Sequence, residues 1–237
     1  KKSFYLPETQ QKLADAVCDA CENVIVVLLC GSAIDLGDKV TNHAKAIIHG
    51  WYPGSMGGLA IANIIAGKAS PCGKLPVTMF RGDHDIPDFE DYNMKGRTYR
   101  FIEGEAQYPF GFGLSYTEFG YENAKVLSAD EKTVKLSVEI TNKGAIDGIE
   151  KAQVYAKYTD SRTVTPNFQL CAIKSVKIAA GEKAEIEFEI DRYWLKAVIE
   201  DGSRVDPDGK IKIYIGGHQP DSVSNKLLGY NCLEIEL

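Results

Sequence analysis

The sequence predicts an open-sheet α/β sandwich, present in part, over the first half of the chain and an all-β antiparallel sandwich over the second. Three observations carry this. Helix-period and strand-like stretches alternate up to about residue 80. One of those stretches is an unbroken apolar run, as a strand covered on both faces requires. From about residue 119 the apolar period drops to two.

Taken in order, Pro7 and Glu8 suit a first helical turn, which tolerates proline and favours negative charge. Leu13, Val17, Ala20 and Cys21 then recur at helical spacing and form the expected inner face. Residues 24–29 are a β-branched apolar run ending at Cys30-Gly31-Ser32, the first expected strand. A second, 46–51, enters the turn Tyr52-Pro53-Gly54-Ser55-Met56-Gly57-Gly58. The helix after it should turn Leu59, Ala62, Ile65 and Ala66 inward and stop at Gly67. Ser70-Pro71-Cys72-Gly73 is a turn, and 74–79 reads as a third strand. Residues 81–117 lack a regular period and are dense in Asp, Pro, Gly and aromatics, among them Tyr92, Tyr99, Phe101, Tyr108, Phe110 and Phe112. A loop of that length is usually functional or wraps another surface.

In the second half, residues 133–141 alternate cleanly, with Val134, Leu136, Val138 and Ile140 on one face. Similar runs at 149–159, 170–178, 184–190, 210–215 and 227–235 are separated by turns such as Asn142-Lys143-Gly144 and Asp206-Pro207-Asp208-Gly209. Short alternating strands at this spacing make an antiparallel sandwich. The domains are therefore expected at 1–117, including the loop 81–117, and 118–237, with Trp194 plugging the second core.

Composition narrows the functional classes. Of 237 residues, 44% are apolar and 25% charged, an ordinary globular mixture. Lys plus Arg is 27 against 33 Asp plus Glu, a net charge of −6, which argues against a nucleic-acid partner. No apolar run approaches the ~20 residues of a membrane span, so no membrane is expected. Nothing near Lys1 reads as a secretory signal, and six scattered cysteines suggest a reducing, cytoplasmic setting. Cys18 and Cys21 form a C-x-x-C without a second ligand pair, so no metal site is expected there. Gly54-Ser55-Met56-Gly57-Gly58 matches no nucleotide-binding or nucleophile-elbow spacing and is read as a tight turn, and no cofactor is expected. Asp83-His84-Asp85 reads as a solvated loop, and His43, His49 and His218 as structural or surface residues. Glu103 and Glu105, beside tyrosines and arginines, fit either a sugar site or a loop held by Arg–Glu pairs.

Longer motifs are more specific. Trp51-Tyr52-Pro53-Gly54, then Gly57-Gly58 opening a helix, then Ser70-Pro71-Cys72-Gly73-Lys74-Leu75-Pro76-Val77-Thr78, resembles glycoside hydrolase family 3. So do Gly96-Arg97-Thr98-Tyr99-Arg100-Phe101 and the run Pro109-Phe110-Gly111-Phe112-Gly113-Leu114-Ser115-Tyr116-Thr117. The Gly-Arg-Thr-Tyr-Arg version looks closest to the β-xylosidase and arabinosidase branch. The second half resembles the fibronectin type III-like domain that ends many members. The resemblance implies a retaining, exo-acting glycosidase that removes terminal β-linked sugars from oligosaccharides with two carboxylates. The nucleophile would belong to a (β/α)₈ barrel, and the acid/base to a loop just before the position of Lys1. No catalytic residue is therefore expected in this chain, which alone should be inactive and should need the barrel domain or chain as its partner. Arg97, Tyr99 and Glu103 are the candidates for walls of the sugar pocket. The shortened α/β half is expected to leave an apolar face exposed and an open sheet edge, so self-association is a further expectation. The alternatives are a carbohydrate-binding or assembly module, and a self-sufficient hydrolase using Glu103 and Glu105.

Overall fold

A computed structural model describes residues 3–83, 87–88, 90–163 and 165–237. His84 and Asp85 of the acidic loop lie outside the described residues. The first half runs α1 (Glu8–Ala20), β1 (Ile25–Leu28), α2 (Gly37–His43), β2 (Ala46–His49) and α3 (Gly57–Ile65). β1 and β2 pair in parallel from Ile25↔Ala46 to Leu28↔His49. Their connection through α2, a helix not anticipated above, is a βαβ crossover. Its core is small: Cys18, Val24, Leu36 and Val40, with Leu6, Ala14, Val26, Leu28, Ile34 and Ile47 around them.

A two-stranded sheet cannot cover all the apolar surface that its helices carry. α1 turns Cys18 and Ala14 onto the core, while its expected inner face is the exposed one, with Leu13 66% exposed and Val17, Ala20 and Cys21 open as well. α3 packs through Ile61 near Leu29 and Gly50, and the face expected inside lies outside, with Leu59 55% exposed. β1 is covered on its Val26 and Leu28 side, whereas Ile25 and Leu29 on the other are exposed. The third strand is also corrected. Residues 74–79 join no sheet; Leu75 N–H donates to Phe112 O at 2.8 Å, and Met79 bridges Tyr108. Pro76 has no N–H to donate, which breaks the ladder between those two contacts.

In the loop 81–117 a single helical turn, α4 (Thr98–Phe101), is the one regular element among the described residues. Beyond it come two sheets. One has the order β3–β4–β7, with β3 Phe119–Ala129, β4 Thr133–Asn142 and β7 Lys183–Asp191. The other has the order β11–β10–β5–β6, with β5 Gly148–Thr159, β6 Gln169–Ile178, β10 Lys210–Gly216 and β11 Leu233–Glu236. A ribbon of β8 (Ala197–Val198) and β9 (Arg204–Val205) and a helix α5 (Ser222–Leu228) complete the chain. The alternating face of β4 meets Ala152, Val154, Ile186, Phe188, Ile190, Ile213 and Ile215 in one dry core. Leu136 is fully enclosed there, so Leu136→Ala is expected to cost about 2–5 kcal/mol, read as a lower urea midpoint.

Two further expectations change in this half. The run 227–235 splits into the end of α5 and β11, because Asp221 caps α5 by accepting from Val223 N–H and Ser224 N–H and Gly229 ends it at φ 77°. Trp194 does not plug the core. It sits in the 3₁₀ turn Arg192–Leu195, 49% exposed, and Leu195 is the residue that points inward. Asp191 sets that turn by accepting from Tyr193 N–H, which rotates Trp194 out.

Candidate functional site at the junction of the two halves

The loop 98–117 is a strap sewn to both halves. On the α/β side, Tyr116 Oη donates to Ile64 O at 2.7 Å, Ser70 and Ser115 hydroxyls bond at 2.9 Å, and Lys74 Nζ donates to Gly113 O at 2.9 Å. On the sandwich side, Asn167 N–H donates to Arg100 O at 2.7 Å and its side-chain amide to Ile102 O at 2.8 Å. Gln153 Nε2 donates to Gly111 O and Gly217 O at 3.0 and 2.9 Å, while Tyr155 Oη donates to Gln153 Oε1. Gly111 has φ 79°, and a Cβ there would lie 2.4 Å from Gln153 Oε1. Only glycine lets the strap approach this buried pair.

The three candidate pocket residues go to different places. Tyr99 stacks on Phe110 at 4.1 Å and 11°, meets Tyr155 edge-on, and accepts a hydrogen bond from Leu170 N–H at 3.3 Å. Burial pushes its phenol up from the ordinary value. Arg97 donates to the backbone carbonyls of Asp88, Asp91 and Asn93, closing its own loop. Glu103 is exposed and pairs with Lys95 at 3.5 Å. A cavity of about 70 Å³ lies beside the strap, lined by Thr78, Tyr99, Glu105, Phe110, Gln219 and Asp221 among others. Of the three candidates, only Tyr99 reaches it. It is far below the ~300 Å³ of an ordinary ligand pocket. Among the described residues Thr78 Oγ1 and Gln219 Oε1 have no hydrogen-bond partner, and ordered waters, each needing ~10–15 Å³, suit such a space.

Sequence reasoning missed the polar cluster beneath the strap. Glu150 is buried and accepts from Tyr121 Oη at 2.7 Å; Tyr230 stacks with Tyr121 and meets His218 edge-on at 4.7 Å. Burial holds the Tyr121 and Tyr230 phenols above their ordinary range and Lys74 below its own, the last eased by Glu150. The alternation of β5 could have flagged Glu150, a carboxylate on the face that Ala152, Val154 and Ala156 carry into the core. His218 is 0% exposed, bonds through Nδ1 to Gln219 O at 2.7 Å, and is held below 6.5 first by burial. Below pH 6.5 the unfolded chain therefore takes up a proton that the folded chain refuses, until the folded value is reached. Stability is expected to fall with pH through that window, measured as the urea midpoint between pH 7.5 and 5, and His218→Asn should flatten the slope.

Elsewhere, Cys18 is buried in α1 and Cys21 caps it, and Gly57 N–H donates to Gly54 O in a tight turn. Among the described residues, no three His, Cys, Asp or Glu side chains gather as a metal site, and no helix is long and apolar enough to cross a membrane.

Comparison with known proteins places this architecture. Residues 1–116 match the glycosyl hydrolase family 3 C-terminal domain and residues 150–219 the fibronectin type III-like domain. The chain belongs to glycoside hydrolase family 3, as a C-terminal part. It is 36% identical over 229 residues to xylan 1,4-β-xylosidase of Xylanibacter ruminicola, covering 96% of this chain and 26% of that protein. It is 34% identical to β-D-xylosidase 1 of Arabidopsis thaliana, over 91% of this chain and 34% of that one. The structure resembles DesR, a β-glucosidase from Streptomyces venezuelae solved with D-glucose, with TM-score 0.85 and 26% identity over 100% of this chain and 32% of that one. The chain thus spans about a quarter to a third of the relatives that it matches.

Proposed function

We propose that the chain is the C-terminal portion of a retaining, exo-acting glycosidase of the β-xylosidase or β-glucosidase type. It completes and supports an active site whose barrel and two carboxylates lie outside these 237 residues. The observation that carries this reading is the apolar surface on both sides of a two-stranded sheet, from Leu13 and Val17 on α1 to Leu59 and Ile65 on α3. A free-standing domain rarely exposes that much apolar surface, and a longer enzyme would cover it. Among the described residues the buried carboxylates hold structural hydrogen bonds: Asp35 accepts from Gly37 N–H and Glu150 from Tyr121 Oη. The two xylosidases and the Gly96-Arg97-Thr98-Tyr99-Arg100 stretch favour xylose as the released sugar. In this reading Tyr99 fixes the strap, Arg97 closes the loop before it, and Glu103, the exposed one of the three, faces the sugar. Six free cysteines fit a reducing compartment.

The test is turnover of aryl β-xylosides and β-glucosides. The chain alone should give none, and the longer protein should turn over the xyloside. Turnover by the chain alone that is lost in Glu103→Gln or Glu105→Gln would replace this reading with a self-sufficient hydrolase.

One observation favours a second reading, a glycan-binding module. Trp194 and Tyr193 stand half-exposed on the sandwich with ring centroids 5.3 Å apart, and aromatic faces pack on sugar CH groups. Retention on insoluble xylan that disappears in Trp194→Ala would support it.

A further inference from the structure

A single helical turn does not hold its own shape in water, because nucleation costs more than one turn returns. α4 (Thr98–Phe101) is such a turn, closed where Ile102 N–H donates to Thr98 O at 3.0 Å. It opens on Thr98 at φ 54°, a value that a β-branched residue adopts only where its surroundings impose it. Glu103, the exposed carboxylate of the strap, follows directly after this turn. Its place is therefore set by whatever holds residues 98–102.

The hydrogen bonds of the turn show what holds it. Phe101 O accepts from Gly96 N–H at 2.9 Å, within the same loop. The rest come from the sandwich. Arg100 O accepts from Asn167 N–H at 2.7 Å, and Ile102 O from the Asn167 side-chain amide at 2.8 Å. Leu170 N–H donates to Tyr99 Oη at 3.3 Å. One short segment leading into β6 thus grips three of the four residues before Glu103. That segment is itself rooted in the sandwich. Leu170 pairs with Tyr155 of β5, and Phe168 sets its ring edge-on to Tyr214 of β10 at 5.7 Å. Glu103, by contrast, is held only loosely. It pairs with Lys95 at 3.5 Å, both side chains exposed, and such a pair contributes little.

We propose that Asn167 is a positioning residue of the sugar site. By pinning Arg100 O and Ile102 O it sets where the Glu103 carboxylate meets the hydroxyls of the substrate, an assignment that rests on the reading of Glu103 as the residue that faces the sugar. The fibronectin type III-like half thereby acts on the substrate without touching it. A carboxylate that accepts from a sugar hydroxyl makes a charge-assisted hydrogen bond, which corresponds to about 10–100-fold in affinity. Substrate and transition state share that bond, so its loss appears in KM and leaves kcat.

The experiment uses the longer enzyme with xylobiose as substrate. Glu103→Gln should raise KM about 10–100-fold with kcat nearly unchanged. Asn167 is exposed, so Asn167→Ala opens no cavity. It should raise KM about 3–10-fold through a misplaced carboxylate, again with kcat nearly unchanged. The double variant should rise no further than Glu103→Gln alone, because both changes act through one interaction. Amide exchange read by mass should quicken in Asn167→Ala over residues 99–105 and stay unchanged in β4, which separates a local release from general loosening. A KM raised by Glu103→Gln but not by Asn167→Ala, increases that multiply in the double variant, or unchanged exchange over 99–105 would overturn the role of Asn167 alone. An unchanged KM in Glu103→Gln would overturn it together with the placement of Glu103 at the sugar.

Discussion

Tyr99→Ala is expected to lower the stability of the chain by about 2–4 kcal/mol, somewhat less than a fully buried aromatic truncation. It should also free the strap for proteolysis between residues 98 and 117. The side chain links three partners at once: the Phe110 face, the Tyr155 edge and the Leu170 N–H. Its removal leaves a gap where the two halves meet, and an N–H of β6 without a partner. Tyr99→Phe keeps the stack and loses one hydrogen bond, at about 1 kcal/mol. Urea midpoints of the three proteins, with limited proteolysis, measure both effects. A Tyr99→Ala chain as stable and as protease-resistant as its parent would mean that the strap does not join the halves.

The second large effect concerns what covers the α/β half. Leu13→Gln, Leu59→Gln and Ile65→Gln together should leave the fold unchanged, since all three side chains are exposed in this chain. Their expected consequence appears only against a partner. Each leucine or isoleucine buried there contributes about 1.5 kcal/mol or more. The triple variant should therefore bind the remainder of the enzyme at least about a thousandfold more weakly. Sedimentation should show the parent chain self-associating with concentration and the variant remaining a monomer. A variant that self-associates like its parent would mean that these faces are not sticky and need no cover.

The same residues show what the sequence made legible. Val134, Leu136, Val138 and Ile140 alternate so strictly that their strand and its buried face could be read directly, because one covered face imposes a period of two. On α1 and α3 the apolar stripes were also found correctly, but not their covering. Periodicity reports that a face is apolar and says nothing about whether the same chain buries it. β3 hides its alternation behind bulges at Glu122/Lys125 and Val126/Ser128. α2 and α5 span only seven residues each, too short for a helical period to stand out. The aromatics of 98–117 suggested a pocket wall, whereas Tyr99 and Phe110 are packing between the halves. Composition cannot separate those roles, since both require flat apolar rings with a polar edge.

Whether this chain works as one part of a glycosidase whose carboxylates lie outside it is decided by complementation. The chain should be titrated into a separately expressed barrel-bearing fragment of the same enzyme, with hydrolysis of an aryl β-xyloside as readout. The expected result is no turnover by either piece and saturable turnover on mixing, ending at one chain per fragment and absent with the Leu13→Gln, Leu59→Gln, Ile65→Gln variant. Equal turnover by the barrel-bearing fragment with and without this chain, or turnover by this chain unaided, would contradict it.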